Sequence, residues 1–347
     1  MLLIRPARQS DMGDLMGLSH AVGTGMTSMP ANEGAWLEKL TRSEASFKSP
    51  ANGPTGEIYF MVLEDTATRK VVGTTAIYAG VGLKHPFYSY KVSTIVSASG
   101  ELDTTRKMRI LYLVNDYTGS TEIGSLYLSA DYRQPGVGQF LSRCRYLTLA
   151  DFPDRFGDTV IAEMRGWQDK EGRSPFWNHL GGKFFGIAFE SADKISSVKG
   201  TQIISDLMPK YPIYIDLLPE EAQNVIGKPH DSSSPALRLL EKEGFTFKGY
   251  VDVFDGGPSV EVPVQNIKTL QASRIATFAG VEEQETAEDQ SNLYMISNGN
   301  ITAYRMCLQP ARLDEEGQIY LTQETVEAMR LNKGDQIRCV KFREKKA

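Results

Sequence analysis

One stretch of this 347-residue chain limits the folds open to it more than any other. Glu122-Ile-Gly-Ser-Leu-Tyr-Leu-Ser129 reads as a strand, with Ile123, Leu126 and Leu128 as its apolar residues. A loop, Asp131–Gly136, carries the chain into Arg133-Gln-Pro-Gly136-Val137-Gly138, and a helix follows at once, from about Val137 to Asp151. Its apolar positions Val137, Phe140, Leu141, Cys144, Leu147 and Thr148 fall at i, i+3, i+4, i+7, i+10 and i+11, which is one face. A strand that turns through glycines into a helix N-terminus makes an anion cradle. Its backbone N–H groups converge on one spot, and the helix dipole adds about half a positive charge there. Arg133, Gly136, Val137 and Gly138 are therefore candidate contacts to a diphosphate, with Arg133 or Arg143 as the supplementary cation.

The glycine spacing is not a dinucleotide fingerprint, since a third glycine and a preceding βαβ partner strand are missing. It is not a Walker loop either, because no Gly-Lys-Ser/Thr closes it. A formal net charge of -5 and scattered basic residues argue against nucleic acid as a partner. No run of about 18 apolar residues occurs, so no membrane span is expected. The opening Met1-Leu2-Leu3-Ile4-Arg5-Pro6 reads as a first strand rather than a leader. Three widely separated cysteines, Cys144, Cys307 and Cys339, fit a reducing, cytoplasmic setting and exclude a CxxC metal or redox site. No metal site is expected.

The rest of the chain reads as alternating short elements. Residues 2–5 form a strand, Ser10-Asp11 caps a helix from Met12, and a second helix spans Glu33–Ser46. The Gly23-Thr24-Gly25 turn lies between these helices. Ile58–Leu63 and Val71–Ala79 predict an antiparallel hairpin, and residues 80–115 an excursion of further strands. Thr159–Met164 is a strand, and Ser174-Pro175 caps a short helix that stops at Gly181-Gly182. A helix from about residue 195, a strand over Tyr211–Leu217 and a short helix at Pro219-Glu220-Glu221 come next. The polar loop 227–234 then leads to a helix from Pro235 and strands over Thr246–Phe254. Residues 1–258 form one expected unit, and 259–347 a small β-rich region with a charged stretch at Glu282–Asp289. The fold class is α+β: a mixed, mostly antiparallel sheet flanked by helices.

This order of elements resembles the GNAT acyltransferase superfamily. Several separate words narrow the likeness: Gly25-Met-Thr27-Ser28-Met-Pro30, Ser43-Glu44-Ala-Ser46-Phe47, Ser174-Pro-Phe-Trp177-Asn178, Tyr211-Pro-Ile-Tyr-Ile215, and Gly227-Lys-Pro-His230 through Phe254-Asp-Gly-Gly-Pro258. Together they resemble the arginine N-succinyltransferase family, from the first strand to about residue 258. The resemblance implies direct transfer of succinyl from succinyl-CoA, a co-substrate rather than a resident cofactor, to the α-amino group of L-arginine. It implies that the strand before the cradle splays from its neighbour, and that the Leu126 backbone meets the thioester end. It makes His230 the proton donor, and it implies an assembly with a further copy of the chain or with a similar one. For arginine itself, Glu163, Arg165 and the Thr27-Ser28 pair are the candidate contacts. Cys144 lies on the apolar face of its helix and reads as packing; His179 reads as structural, and His20 and His85 carry no motif. Two other readings stay open: a GNAT enzyme with another acyl donor or amine, and a non-catalytic acyl-CoA-binding module.

Overall fold

Burying an arginine in the first strand dictates how the chain begins. Strand β1, Leu2–Pro6, buries Leu3, Ile4 and Arg5. The Arg5 guanidinium forks onto Asp11 at 2.7 and 2.8 Å and also pairs with Glu64. Asp11 in turn accepts the Arg8 N–H at 2.8 Å, so the expected cap arises within a 3-10 turn, Gln9–Asp11, ahead of helix α1, Met12–Val22. The computed structural model describes residues 1–22, 26, 28–189, 191–192, 207–282 and 292–343. The Gly23-Thr24-Gly25 turn, Thr27, the helix expected from residue 195 and the charged stretch after Glu282 lie outside the described residues.

Helix α2, Glu33–Lys48, starts where Asn32 accepts the Ala35 N–H. Strands β2, Ile58–Asp65, and β3, Lys70–Tyr78, form the expected antiparallel hairpin. Residues 58–63 are all buried because both faces of the sheet are covered. Ile58, Phe60 and Val62 pack with Leu15, Trp36 and Leu40 of α1 and α2, whereas Tyr59, Met61 and Leu63 face Phe140, Leu141 and Cys144 of helix α3, Val137–Asp151. The excursion over 80–115 is one long hairpin, β4 (Ser89–Ser99) and β5 (Thr104–Val114). Strands β6, Thr121–Leu128, and β7, Thr159–Glu163, lie near the middle of the sheet.

Two local expectations need correction. The strand over Tyr211–Leu217 shrinks to β8, Ile213–Tyr214, and Ile215–Leu217 form a 3-10 turn. The turn buries Ile215 completely and leaves Leu217 83% exposed, an outcome that continued pairing along β5 would not give. The helix Pro175–His179 does not simply stop at Gly181-Gly182, because a second helical turn, Gly181–Phe185, follows. A Cβ at Gly181 would lie 2.3 Å from the Trp177 ring, so this glycine permits close packing rather than ending the element.

Strands β9, Thr246–Asp252, and β10, Pro258–Pro263, complete this half. The C-terminal residues supply β11 (Arg274–Val281), β12 (Leu293–Ser297), β13 (Met306–Pro310), β14 (Arg312–Leu313), β15 (Gln318–Leu321) and β16 (Gln336–Lys341). All sixteen strands of the described residues belong to one sheet, in the order β14, β15, β11, β16, β12, β13, β1, β2, β3, β6, β7, β10, β9, β4, β5, β8. Among them, only the pairs β6–β7 and β11–β15 are parallel. The fold is thus α+β, with a mixed, mostly antiparallel sheet. The division expected at residue 258 falls on the first residue of β10, which sits between β7 and β9. The later strands extend the opposite edge through β13, where Leu3 faces Cys307.

Asp151, at the end of α3, ties this edge down. Its carboxylate accepts from Ser297 Oγ at 2.6 Å, Tyr304 Oη at 2.9 Å and Arg338 Nε at 2.8 Å. Replacing Asp151 by Asn leaves the half-buried Arg338 guanidinium without its countercharge. The expected loss is about 3 kcal/mol of unfolding free energy, read as a lower urea midpoint at an unchanged m-value.

Candidate active site

The site begins with a mismatch in strand pairing. β6 pairs with β3, but the register slips between Thr74↔Tyr127 and Ala76↔Gly124, so Ser125 and Leu126 together oppose Thr75. Ser125 adopts φ 50°, a left-handed conformation unusual outside glycine, and its carbonyl accepts from Thr74 Oγ1 at 2.8 Å. On its other side β6 pairs with β7 only at Thr121↔Val160 and Glu122↔Ile161. Beyond Glu122 the two strands part. The β6 edge from Ile123 to Leu128 faces a wedge with no β7 ladder along it, and half-buried Leu126 lies on that edge.

The cradle closes one end of the wedge. Gly136 takes φ 94° as the N-cap of α3 and offers no side-chain cap. The Val137 N–H already donates to Gln134 O at 3.2 Å, which leaves the amides of Gly138 and Gln139 as the uncapped donors of the first turn. A Cβ on Gly138 would meet no protein atom within 4 Å. Packing inside the chain therefore does not demand a glycine there. Arg133 is exposed beside this turn, with Nε donating to Leu128 O at 3.1 Å. Arg143 points elsewhere, to Glu243, Thr269 Oγ1 and Phe342 O, and so serves the junction with the C-terminal region.

Carboxylates gather at the other end. Glu122 is the last β6 residue paired with β7, Glu163 ends β7 and Asp252 ends β9. Burial pushes the Glu122 carboxyl up to about 7, with Lys39 opposing the shift and Asp252 reinforcing it. Glu163 is raised well above its usual range by burial and by the charges of Asp252, Glu122 and Asp255. Glu122, Glu163 and Asp252 are each half-buried. Opposite them, burial pulls Lys39 down to about 7. Its Nζ donates to Ser28 O at 2.6 Å and to Tyr78 Oη at 2.9 Å, and Tyr78 Oη bonds Ser125 Oγ at 2.7 Å. The bulge is thereby braced from α2.

His230 reaches this region through backbone stitching. Its N–H donates to Arg165 O at 2.7 Å, and the Trp167 N–H donates to Lys228 O at 3.0 Å, which binds the 227–230 loop along the end of β7. The Gly227 N–H donates to Gly256 O at 2.8 Å. Asp255 accepts from the N–H groups of Gly166 at 2.6 Å and Gly257 at 2.8 Å. A Cβ at Gly257 would lie 2.0 Å from Met164 O, and one at Gly166 would lie 2.3 Å from Asp255 O. The Asp-Gly-Gly word is thus a clasp that fixes the backbone beyond the end of β7, against which the His230 loop is bonded. Burial, then the Arg165 charge, lowers the pKa of His230. Its Nδ1 accepts the Ser232 N–H, so the neutral ring carries its proton on Nε2.

Two family profiles match this chain. Residues 2–269 match the profile of the arginine N-succinyltransferase beta subunit, and residues 277–341 match that of the same protein's C-terminal domain. The arginine N-succinyltransferase of an Escherichia coli strain is 40% identical over 99% of this chain and 98% of its own length. The chain belongs to the arginine N-succinyltransferase family. Another member, arginine N-succinyltransferase subunit beta from Pseudomonas aeruginosa, is 41% identical over 98% of both chains. The solved structure of arginine/ornithine succinyltransferase subunit AI from Pseudomonas aeruginosa superposes with a TM-score of 0.90 at 33% identity, over 99% of each chain.

Within this succinyltransferase fold, the structure brings Glu163, Arg165 and His230 to one side of the wedge and Leu126, Arg133, Gly136, Val137 and Gly138 to β6 and its cradle. Ser28 contributes its carbonyl to Lys39, and Thr27 lies outside the described residues. Cys144 is buried, with its thiol pushed up to about 12 by burial, so it is a packing residue. His179 pairs with Glu221, and His20 and His85 are exposed. Sequence reasoning missed Glu122, Lys39, Tyr78 and Asp252. The one available signal was Ile123, Leu126 and Leu128, whose spacing breaks period two where the bulge sits.

Gly257→Ala forces its Cβ into the Met164 carbonyl. It should cost about 2 kcal/mol or more of stability and lower turnover in the fraction that folds. Thermal unfolding and a thiol-release assay on the same preparation check both effects.

Proposed function

We propose that the wedge transfers succinyl from succinyl-CoA to the α-amino group of L-arginine, as the names of its relatives suggest. The observation that carries this reading is the parting of β6 from β7, flanked by an anion cradle at one end and clustered carboxylates at the other. A CoA thioester is long, anionic at one end and reactive at the other. It suits a slot in which the Gly138 and Gln139 amides meet the diphosphate and the β6 backbone at Leu126 meets the thioester carbonyl. Glycine at 138 is then explained by close approach of the ligand.

Arginine brings two cationic groups, and Glu163 and Asp252 are the carboxyl groups that would ionise against them, since a nearby cation offsets the shift that burial imposes. The Arg165 Nε and Gln168 Nε2 atoms are buried without a hydrogen-bond partner among the described residues, and they offer donors to a substrate carboxylate. Glu122, poised near neutrality, takes a proton from the α-ammonium. The amine then attacks the carbonyl carbon, and the negative oxygen is met by backbone N–H at the bulge. The C–S bond breaks and the amide nitrogen keeps one proton, the other two having passed to base and solvent. His230 offers Nε2–H to the departing sulfur. A thiolate can leave under that single hydrogen bond because the thiol pKa, about 8.5, lies near the working pH. Holding both reactants side by side makes a covalent acyl-enzyme unnecessary.

The same reading makes succinyl-CoA a co-substrate. It places the reaction in the cytoplasm, in keeping with three buried free cysteines. No helix among the described residues is long and apolar enough to cross a membrane. Because one relative is named a subunit, assembly with a further copy or with a similar chain belongs to the proposal.

Thiol release is measured with succinyl-CoA or acetyl-CoA as donor and arginine or ornithine as acceptor. Turnover with succinyl-CoA and arginine is expected. Acetyl-only turnover would assign another donor, and CoA binding without turnover would make the chain a binding module. His230→Ala should lower kcat by about 100-fold while calorimetry shows nearly unchanged CoA affinity; unaltered kcat removes His230 from the chemistry. For Glu122 the sign follows from its raised pKa. The base works only when ionised, so kcat/KM for arginine should rise with pH through about 7, a midpoint that belongs to the Glu122–Lys39 pair. Glu122→Gln should flatten that limb.

A further inference from the structure

A cavity of about 460 Å³ opens where β1, the turn before α1 and the end of α2 meet residues 302–305 and Arg330 of the C-terminal region. None of the wedge residues lines it. Its cationic lining is Arg5, Arg8, Lys48, Arg305 and Arg330, against one carboxylate, Glu44. This concentration sits in a chain of net charge -5, so it is a local feature and not a consequence of overall composition.

The five cations are not equally engaged. Arg5 is held by Asp11 and Glu64, and Lys48 lies 3.9 Å from Glu44 across one helical turn. Arg8, Arg305 and Arg330 form no ion pair with any carboxylate among the described residues. Arg305 is half-buried and spends one nitrogen on Ala328 O at 2.7 Å. Burial disfavours its charge, as do the neighbouring charges of Arg330, Arg8 and Arg5, with Glu64 opposing the shift. Arg330 is held at φ 58° as the cap of the helix Gln323–Met329, in the left-handed conformation that helix ends usually give to glycine. Like charges that outnumber the carboxylates at a concave surface are satisfied best by an anion that bridges them, and the planar guanidinium fork matches carboxylate or phosphate oxygens.

We propose that this cavity is a second ligand site, distinct from the wedge, for a small polyanion bearing at least two carboxylate or phosphate groups. Such an anion would join Arg8 at the start of α1 to Arg305 and Arg330 of the C-terminal region. Its binding would thus strengthen the attachment of that region to β1 and α2. The volume lies within the range of small-molecule sites, about 300–1,000 Å³.

The test uses the full-length chain with saturating CoA present, so that the wedge does not compete for the probe. Citrate and inorganic pyrophosphate are titrated by calorimetry and by thermal shift, with sodium chloride at matched ionic strength as the control. Saturable binding of either probe, with a rise in Tm that follows its concentration, is expected. Preference for citrate assigns carboxylate chemistry to the site, and preference for pyrophosphate assigns phosphate chemistry. The double variant R8Q/R330Q changes two exposed side chains. It should weaken binding at least tenfold and leave arginine succinylation in anion-free buffer unchanged. R305Q is the second variant and should weaken the same probe. The proposal is overturned if neither probe binds saturably, if sodium chloride reproduces the shift, or if affinity survives in both variants.

Discussion

The parting of β6 from β7 after Glu122 is the constraint on which the rest of this molecule depends. Parallel strands normally stay paired along their length, since each lost ladder bond leaves a backbone donor and acceptor to be met in another way. Here two register pairs suffice before the strands separate, while the bulge at Ser125–Leu126 turns the free edge of β6. The neighbouring elements are arranged to make that separation tolerable. Thr74 bonds the carbonyl of strained Ser125, and the Lys39–Tyr78–Ser125 chain holds its hydroxyl. On the far side, Met164 donates to Pro258 O at 3.0 Å, so the end of β7 belongs to β10 instead of β6.

Electrostatics follows from the same opening. Glu122, Glu163 and Asp252 stand near strand ends beside the wedge, where burial raises all three and like charges add to the shift of Glu122 and Glu163. A fold selected for stability alone would not gather them, because desolvated like charges raise one another's pKa at the expense of the folded state near neutral pH. The Arg5–Asp11–Glu64 and Asp151–Arg338 groupings make the contrast plain. Those buried charges are paired and hydrogen-bonded, and they hold β1 and the C-terminal strands in place. The carboxylates of the wedge, and Arg8, Arg305 and Arg330 of the second cavity, by contrast, have no such carboxylate–guanidinium ion pair among the described residues.

How far the sequence could be read depended on the range of the forces involved. The start of α3 at Val137 and its end at Asp151 are both legible, because periodicity and a glycine turn act over a few residues. The β2–β3 hairpin and the Ser174 cap are legible for the same reason. The shortened strand at Ile213–Tyr214 was not, since burial of Ile215 among distant side chains outweighed local β preference. The resemblance supplied His230 and Leu126. Lys39 looked like any lysine on a helix, although its nitrogen lies inside a network with Ser28, Tyr78 and Ser125.

By itself, then, the sequence determined the local vocabulary: which segments are helix or strand, where glycine lets the backbone bend, and that a helix N-terminus follows β6 directly. These depend on neighbours along the chain, and nearest-neighbour physics is written there. Tertiary structure alone decided that the β6 edge stays open and that Asp255 clasps Gly166 and Gly257. It also decided that carboxylates from β6, β7 and β9 meet. Each of these is a contact between residues far apart in the chain, set by how the sheet pairs, and such pairing energies are summed over the whole fold before any one residue acquires its role.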